Sequence, residues 1–328
     1  MSHKKLRVGV LIGGPSAERE VSLVTGRAIY DNLDPKKYQP FLIEMDKEAK
    51  IFLLDKKKKR LLDLQDKDRK LFDLIFIALH GTPGEDGTVQ GMLELYGIPY
   101  TGSKVMASSI AMNKVMTGAL YRLNKLATPG FVDFSEPEWK KEKERIVKEV
   151  GERINYPAVV KPADQGSAVG VSIVENEAEL RRAIETTITK FSWLMAQRFI
   201  TGKETTCGVL ERNGKLLALP PTRIIPQLGK FYDYESKYAA GGSTHICPAD
   251  FAPEVNEKIQ ALALKAHKAL GCRGMSRTDI FVGDDGELWV IETNTIPGMT
   301  PTSLLPEAAG KAGISFSKML DMIIEASL

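Results

Sequence analysis

Cysteine is scarce in this chain: Cys207, Cys247 and Cys272 are the only three in 328 residues, an odd number without metal-ligand spacing. That argues against a disulfide-framed secreted domain and against a cysteine-held zinc site, and predicts reduced thiols in a cytoplasmic protein. An excess of either charge is missing too. With 45 basic against 42 acidic residues and a net charge of +3, a general nucleic-acid surface is not expected. The one basic cluster, Lys56 to Arg60, reads as a solvated turn between strands. No apolar run approaches a membrane span, and the N-terminal MSHKKLRVGVLIGG lacks an apolar stretch of signal length, so no membrane contact is expected. Internal repeats, low-complexity segments and the phosphate-loop pattern G-x-x-x-x-G-K-[ST] are all absent.

The apolar and charged fractions, 43% and 27%, are ordinary for a globular protein. A chain of 328 residues outgrows a single hydrophobic core, so two or three domains are expected. Residues 6 to 12, LRVGVLI, form a β-branched run that stops at Gly13-Gly14-Pro15, and a helical pattern follows from Ser16 through Leu33. Tyr38 to Met45 and Leu74 to Leu79 repeat the strand signal, which predicts a doubly wound, parallel-sheet α/β domain over residues 1–115. A charged helix, Glu136 to Gly151, opens a different pattern. Strands at Ala158–Lys161, Val171–Val174 and Trp193–Phe199, with a helix near Ala178–Thr189, predict a small α+β unit within 116–204. Longer strands and a hairpin then predict a second α+β unit over 205–328.

The hairpin carries the strongest chemical signal. In RTDIFVGDDGELWVIETNTIPGMT, residues 277 to 300, taking GDDG as the turn places Arg277 opposite Glu292 and Asp279 opposite Val290. Period-two alternation then puts Arg277, Asp279, Glu292 and Asn294 on one face. Three oxygen ligands beside a cation are poor core. They suit a hard cation such as Mg²⁺, which takes one or two carboxylates and leaves positions for substrate phosphates. The plainer alternative is a solvent-facing hairpin with scattered charge.

Other segments point to phosphate. In VVKPADQGSAVGVSIV a strand delivers Lys161 to a loop holding Gly166, Ser167 and Gly170, where glycines let backbone N–H groups turn toward an anion. Taken singly, Lys114 reads as a snorkelling lysine, Glu204 as an exposed carboxylate, Glu18 as a partner of a helix dipole and His80 as structural. Residues 231–250, FYDYESKYAAGGSTHICPAD, form a loop too long for a routine connection and too aromatic for disorder, as expected of a functional lid.

Together GGPSAEREVSL, IALHGTPGEDGTVQGMLELYGIPYTGS, KPADQGSAVGVS, FYDYESKY, RTDIF and ETNTIPGMTPTSL resemble, in order and spacing, the D-alanine–D-alanine ligase family of the ATP-grasp superfamily. The resemblance runs from about residue 8 to residue 325. Two departures stand out: Ala168 replaces a second loop serine, and Gln197 stands where glutamate often faces adenine.

The resemblance implies an ATP-grasp fold, with ATP held between two α+β domains, and ligation of two D-alanines through an acyl phosphate. It makes Lys114 and Lys161 phosphate lysines, and it makes the loop from Gly166 through Ser167 to Gly170 a flap over ATP. Gln197, Arg198, Phe199 and Ile200 would line adenine, with Glu204 on the ribose. Asp279, Glu292 and Asn294 would hold two Mg²⁺ or Mn²⁺ ions. Glu18 would pair with the ammonium of the first D-alanine; His80, Lys237, Ser303 and Leu304 would bind substrate. Ser167 and Tyr238 would complete a network with Glu18, while Arg277 and the Gly298 N–H would form an oxyanion hole. The family also implies a homodimer and leaves room for a monovalent cation. Ligases making D-alanyl-D-lactate or D-alanyl-D-serine, or another ATP-grasp ligase, are the rival readings, along with a non-catalytic nucleotide-binding protein.

Overall fold

The computed structural model describes residues 4–55, 58–166, 169–227, 242–300 and 302–328. Ser167, Ala168, Lys237, Tyr238 and most of the expected lid loop lie outside these residues. Three sheets organise the described chain. The first joins β1 (Leu6–Gly13), β2 (Tyr38–Met45), β3 (Ile51–Asp55), β4 (Lys58–Leu61) and β5 (Leu74–Ile77) in the order β4-β3-β2-β1-β5. β1 is parallel to β2 and β5, as the apolar runs predict. An antiparallel hairpin, β3 with β4, extends this parallel centre at one edge.

That hairpin corrects the reading of the basic run: residues 58–60 belong to strand β4, not to a turn. Its charges have partners as well, since Lys59 meets Glu44 at 3.0 Å and Arg60 meets Asp68 at 2.9 Å. Helix α1 (Arg19–Asn32) packs on β1, and α2 (Thr88–Leu95), α3 (Val105–Met112) and α4 (Lys114–Leu123) follow β5. The α1–β1 approach requires Gly26, because a Cβ there would stand 1.9 Å from Ile12 Cγ2.

The second sheet is antiparallel, with β6 (Phe131–Ser135), β7 (Ala158–Pro162), β8 (Ser172–Val174) and β9 (Trp193–Arg198) in the order β6-β9-β7-β8. Helices α5 (Glu136–Arg153) and α6 (Glu177–Ile188) bury Ile146, Val150, Leu180 and Ile184 against it. Ser135 and Glu138 form a capping box that starts α5 where the charged pattern begins.

The third sheet runs β13-β12-β10-β14-β15, with β11 paired to β10. Its strands are β10 (Gly202–Arg212), β11 (Lys215–Ala218), β12 (Thr222–Pro226), β13 (Ser243–Ile246), β14 (Met275–Gly283) and β15 (Leu288–Asn294). β13 is a further correction. The tail of the segment read as a loop pairs with β12, aligning Ile224 with His245. Helices α7 (Pro253–Leu270), α8 (Leu304–Lys311) and α9 (Phe316–Glu325) complete the chain. Met319, Leu320 and Ile323 of α9 join the same core as Val8, Val10 and Ile75, so the last helix closes the first sheet. Arg273 reinforces this union by donating to the carbonyls of Gly102 (2.9 Å) and Tyr100 (2.8 Å). All three cysteines are free thiols. Among the described residues no helix is long and apolar enough to cross a membrane.

Candidate functional site

Two cavities open between the sheets and meet at Lys114, Gly166 and Glu292, which line both. The smaller, about 170 Å³, is a slot between the second and third sheets. Val159 and Ile173 from β7 and β8 face Phe281 and Ile291 from β14 and β15, giving apolar walls of the kind a flat heteroaromatic ring would fill. Gln197, Arg198, Phe199 and Ile200 line its edge, and Glu204 at the start of β10 lines it too. Lys161 and Asp279 line it as well.

The larger cavity, about 500 Å³, lies between the first sheet's loops and α8. Glu18, His80, Arg277, Asn294, Gly298, Ser303 and Leu304 line it. Every described site residue expected from the sequence therefore reaches one of two adjoining cavities. Lys237, Tyr238 and Ser167 fall outside the described residues.

The hairpin supplies the junction, in a register that differs from the expected one. Asp279 stands opposite Glu292 and Arg277 opposite Asn294, whereas Ile280 pairs with Val290. The register shifts between Asp279 and Ile280, so Ile291 is an extra residue in β15. A four-residue connection, closed by the Gly283 N–H on the Glu287 carbonyl at 2.8 Å, sets the outer register. The bulge then moves the inner half one step further. Near the site the pairing is displaced by two residues, so the expected polar face survives. Val290 does not share it; it is fully buried on the opposite face with Ile280.

On that face the charges are paired. Arg277 holds Asp279 through two bonds, Nε to Oδ1 and Nη2 to Oδ2, both 3.1 Å. Thr206, aligned with Asp279 across β10 and β14, donates to Oδ1 at 2.6 Å. Lys114 approaches Glu292 at 3.6 Å. It begins α4, where Asn113 caps the helix by accepting from the Met116 N–H. The Lys161 ammonium, buried at the end of β7, donates to the Gln197 amide oxygen at 2.8 Å. Burial, reinforced by the neighbouring Lys114, pushes Lys161 down to about 8, with Glu292 opposing.

Asp279, Glu292 and Asn294 offer oxygen donors alone. Among the described residues no group of three or more His, Cys, Asp or Glu side chains is placed to hold a metal. Two carboxylates and one amide thus fit a hard divalent cation completed by substrate oxygens, and fit zinc poorly.

In the larger cavity Glu18 precedes α1, close to both glycine loops. A Cβ on Gly81 would stand 3.1 Å from Glu18 Oε2, and one on Gly166 would stand 3.5 Å from it. His80 Nε2 lies 3.1 Å from the Thr25 hydroxyl. Glu85, which the sequence reading passed over, accepts from the Gly81 N–H at 2.8 Å and turns its other oxygen to 3.9 Å from His80 Nδ1. At the opposite end Ser303 Oγ accepts from the Thr300 N–H at 3.1 Å. Thr206, Glu85 and His245 were all missed. Thr206 meets Asp279 only through the pairing of β10 with β14, which no local pattern marks.

The chain matches family models described as D-ala D-ala ligase N-terminus (residues 7–71 and 57–103) and D-ala D-ala ligase C-terminus (120–325). A D-alanine–D-alanine ligase from Syntrophobacter fumaroxidans is 43% identical over 331 residues, covering 100% of this chain and 99% of that protein. One from Geobacter sulfurreducens is 40% identical, covering 98% and 94%. Among solved structures, the VanG D-Ala:D-Ser ligase of Enterococcus faecalis superposes with a TM-score of 0.89 at 31% identity, covering 99% of this chain and 100% of that one. The Bacillus anthracis D-alanine–D-alanine ligase complexed with ATP superposes with a TM-score of 0.79 at 36% identity, covering 98% and 97%.

Proposed function

This chain belongs to the D-alanine–D-alanine ligase family, and on that premise we propose how its residues divide the joining of two D-alanines. It is an ATP-dependent, divalent-metal-using ligase whose dipeptide serves peptidoglycan synthesis. The observation that carries the assignment of roles is the meeting of an apolar slot and a polar cavity at Lys114, Gly166 and Glu292.

ATP enters the slot with adenine between Val159, Ile173, Phe281 and Ile291, its edge toward Gln197–Ile200 and its ribose toward Glu204. Lys114 and Lys161 take phosphate oxygens at the junction. Asp279, Glu292 and Asn294 would hold two Mg²⁺ or Mn²⁺ ions, which when bound neutralise the charge shared by phosphate and attacking carboxylate. Glu18 takes the ammonium of the first D-alanine and orients its carboxylate toward the γ-phosphoryl group. Transfer of that group breaks the terminal P–O bond of ATP, forms an acyl phosphate and releases ADP. The second D-alanine, its carboxylate held near Ser303 and the N-terminus of α8, gives up its ammonium proton, through Tyr238 and Ser167 or to the departing phosphate, and the neutral amine attacks the acyl carbon.

Arg277 and the Gly298 N–H stabilise the tetrahedral oxyanion, and collapse expels phosphate with the C–O electron pair. Residues 1–115, 116–204 and 205–328 act as three parts, the last carrying both the metal face and the acceptor end. The acting species is a cytoplasmic homodimer.

Phosphate release from ATP tests the reading, with D-alanine, L-alanine, D-serine and D-lactate supplied singly and with D-alanine. Release should require D-alanine and be greatest with D-alanine alone. A larger response to D-serine with D-alanine would favour the acceptor choice of the VanG enzyme. No response to D-alanine would end the ligase reading.

A further inference from the structure

We propose that His245 is a positioning residue for the acceptor end of the cavity, acting through Glu307 on the first turn of α8. The inference rests on the ligase reading, which places the second D-alanine at Ser303 and Leu304. His245 extends from β13, an outer strand of its sheet among the described residues, and lines the larger cavity with Ser303, Leu304, Thr300 and Thr302. Both ring nitrogens are engaged: Nδ1 lies 2.9 Å from Glu307 Oε2, and Nε2 lies 3.1 Å from Ser243 Oγ. A neutral imidazole satisfies both at once, donating from Nδ1 to the carboxylate and accepting the Ser243 hydroxyl at Nε2.

Helix α8 needs such a tie. Ser303 is its N-cap residue, yet its side chain makes no capping bond to the helix. The hydroxyl is turned instead toward Thr300, 3.1 Å from its N–H and 2.7 Å from Oγ1. The turn that presents Ser303 and Leu304 is thus anchored from the side, by a carboxylate one turn in, whose own N–H donates to the Ser303 carbonyl at 3.0 Å. His245 holds that carboxylate to a different strand. In doing so it links the helix bearing the acceptor clamp to the strand that follows residues 228–241, where the sequence places Lys237 and Tyr238.

The test is steady-state kinetics over a wide D-alanine range, resolved into donor-site and acceptor-site constants, with the KM for ATP and the melting midpoint measured alongside. For His245→Ala the acceptor constant should rise about tenfold, the size of one lost hydrogen bond. The donor constant and the KM for ATP should stay at parental values. Glu307→Ala should reproduce the shift, the double variant should be no worse than either single one, and His245→Asn, which keeps a donor near the Nδ1 position, should recover most of it.

An unchanged acceptor constant would overturn the proposal. So would a parallel rise in all three constants, or additive effects in the double variant. Should His245→Ala fail to fold, Glu307→Ala alone decides by the same constants. A parent that forms no dipeptide refutes the ligase reading itself, whereas an active parent with unaffected variants refutes only the role of His245.

Discussion

Exchanging Gln197 for glutamate should move the alkaline limit of ATP use, because residue 197 is the hydrogen-bonding partner of the most strongly buried lysine in the slot. In the parent the Lys161 ammonium rests 2.8 Å from a neutral amide oxygen, and burial together with Lys114 lowers it from 10.5 to about 8. Holding that charge before nucleotide arrives costs about 3 kcal/mol, at 1.36 kcal/mol per pKa unit. A lysine with a lowered pKa carries its proton below that value and loses it as pH rises through it. Since kcat/KM reports groups of the free enzyme, kcat/KM for ATP should be level below pH 8 and fall by about tenfold per pH unit above it.

A carboxylate at 197 would stand against the ammonium in the same dry pocket. An opposite charge at that range moves a pKa by about 1–3 units toward the charged form. The descending limb should therefore shift to about pH 9–11 in Gln197→Glu, with D-alanine kept saturating. The assay is coupled ADP release across the alkaline range in both proteins. A limb at the same pH in parent and variant, or a parent profile that stays flat to the alkaline end, would refute the claim that Lys161 must be protonated to receive ATP.

Glu292→Gln removes a negative oxygen from the metal face at constant volume and leaves Lys114, 3.6 Å away, without its counter-charge. Dipeptide formation should fall by more than about 10²-fold, a loss of several kcal/mol in charge stabilisation, and near-parental activity at ordinary Mg²⁺ would remove Glu292 from that role. Arg277→Ala should lower kcat by about 10²–10³ if its guanidinium faces the oxyanion. Calorimetry should find ATP affinity little changed, and a main defect in binding would recast Arg277 as a holder of Asp279. Behind the hairpin, Thr293 Oγ1 lies 2.7 Å from the Tyr121 hydroxyl and 2.9 Å from Thr278 Oγ1, all three residues buried. Thr293→Val should cost about 1–3 kcal/mol in denaturant unfolding, and adding Tyr121→Phe should cost less than the sum of the singles, because each leaves the other's partner stranded.

Much of this arrangement was legible because its residues announce themselves locally. Runs rich in apolar and aromatic residues mark β1, β2 and β5. The polar face of the hairpin was legible for a narrower reason. The expected register was two residues out at Asp279, and a two-residue displacement returns every side chain to the same face of a pleated strand. A bulge at Ile291 is what made the displacement even there, and nothing in VIETN forecasts one. The face was right while the opposite partners were wrong. β13 was hidden because STHI alternates weakly and, as an edge strand, needs a partner on one side only. The pair of His245 and Glu307 spans 62 residues, and the closure of the first sheet by α9 spans most of the chain. Contacts of that separation depend on how whole sheets pack, which no local period encodes.

The same geometry explains why the junction can be crowded with charge yet remain folded around an open cavity. Isolated carboxylates and ammonium groups at this depth would carry a heavy desolvation cost. Here Asp279 is held by Arg277 and Thr206, Glu292 faces Lys114, and Lys161 leans on an amide while giving up part of its basicity. On the proposed roles Lys114 is a cation that the ATP phosphates would claim, and its partner Glu292 is a carboxylate that a divalent ion would claim. On those roles, binding of both would replace the Lys114–Glu292 pair by protein–ligand pairs of the same sign. The junction would thus favour the metal–nucleotide complex over either component alone, because each component relieves the charge that the other leaves unpaired.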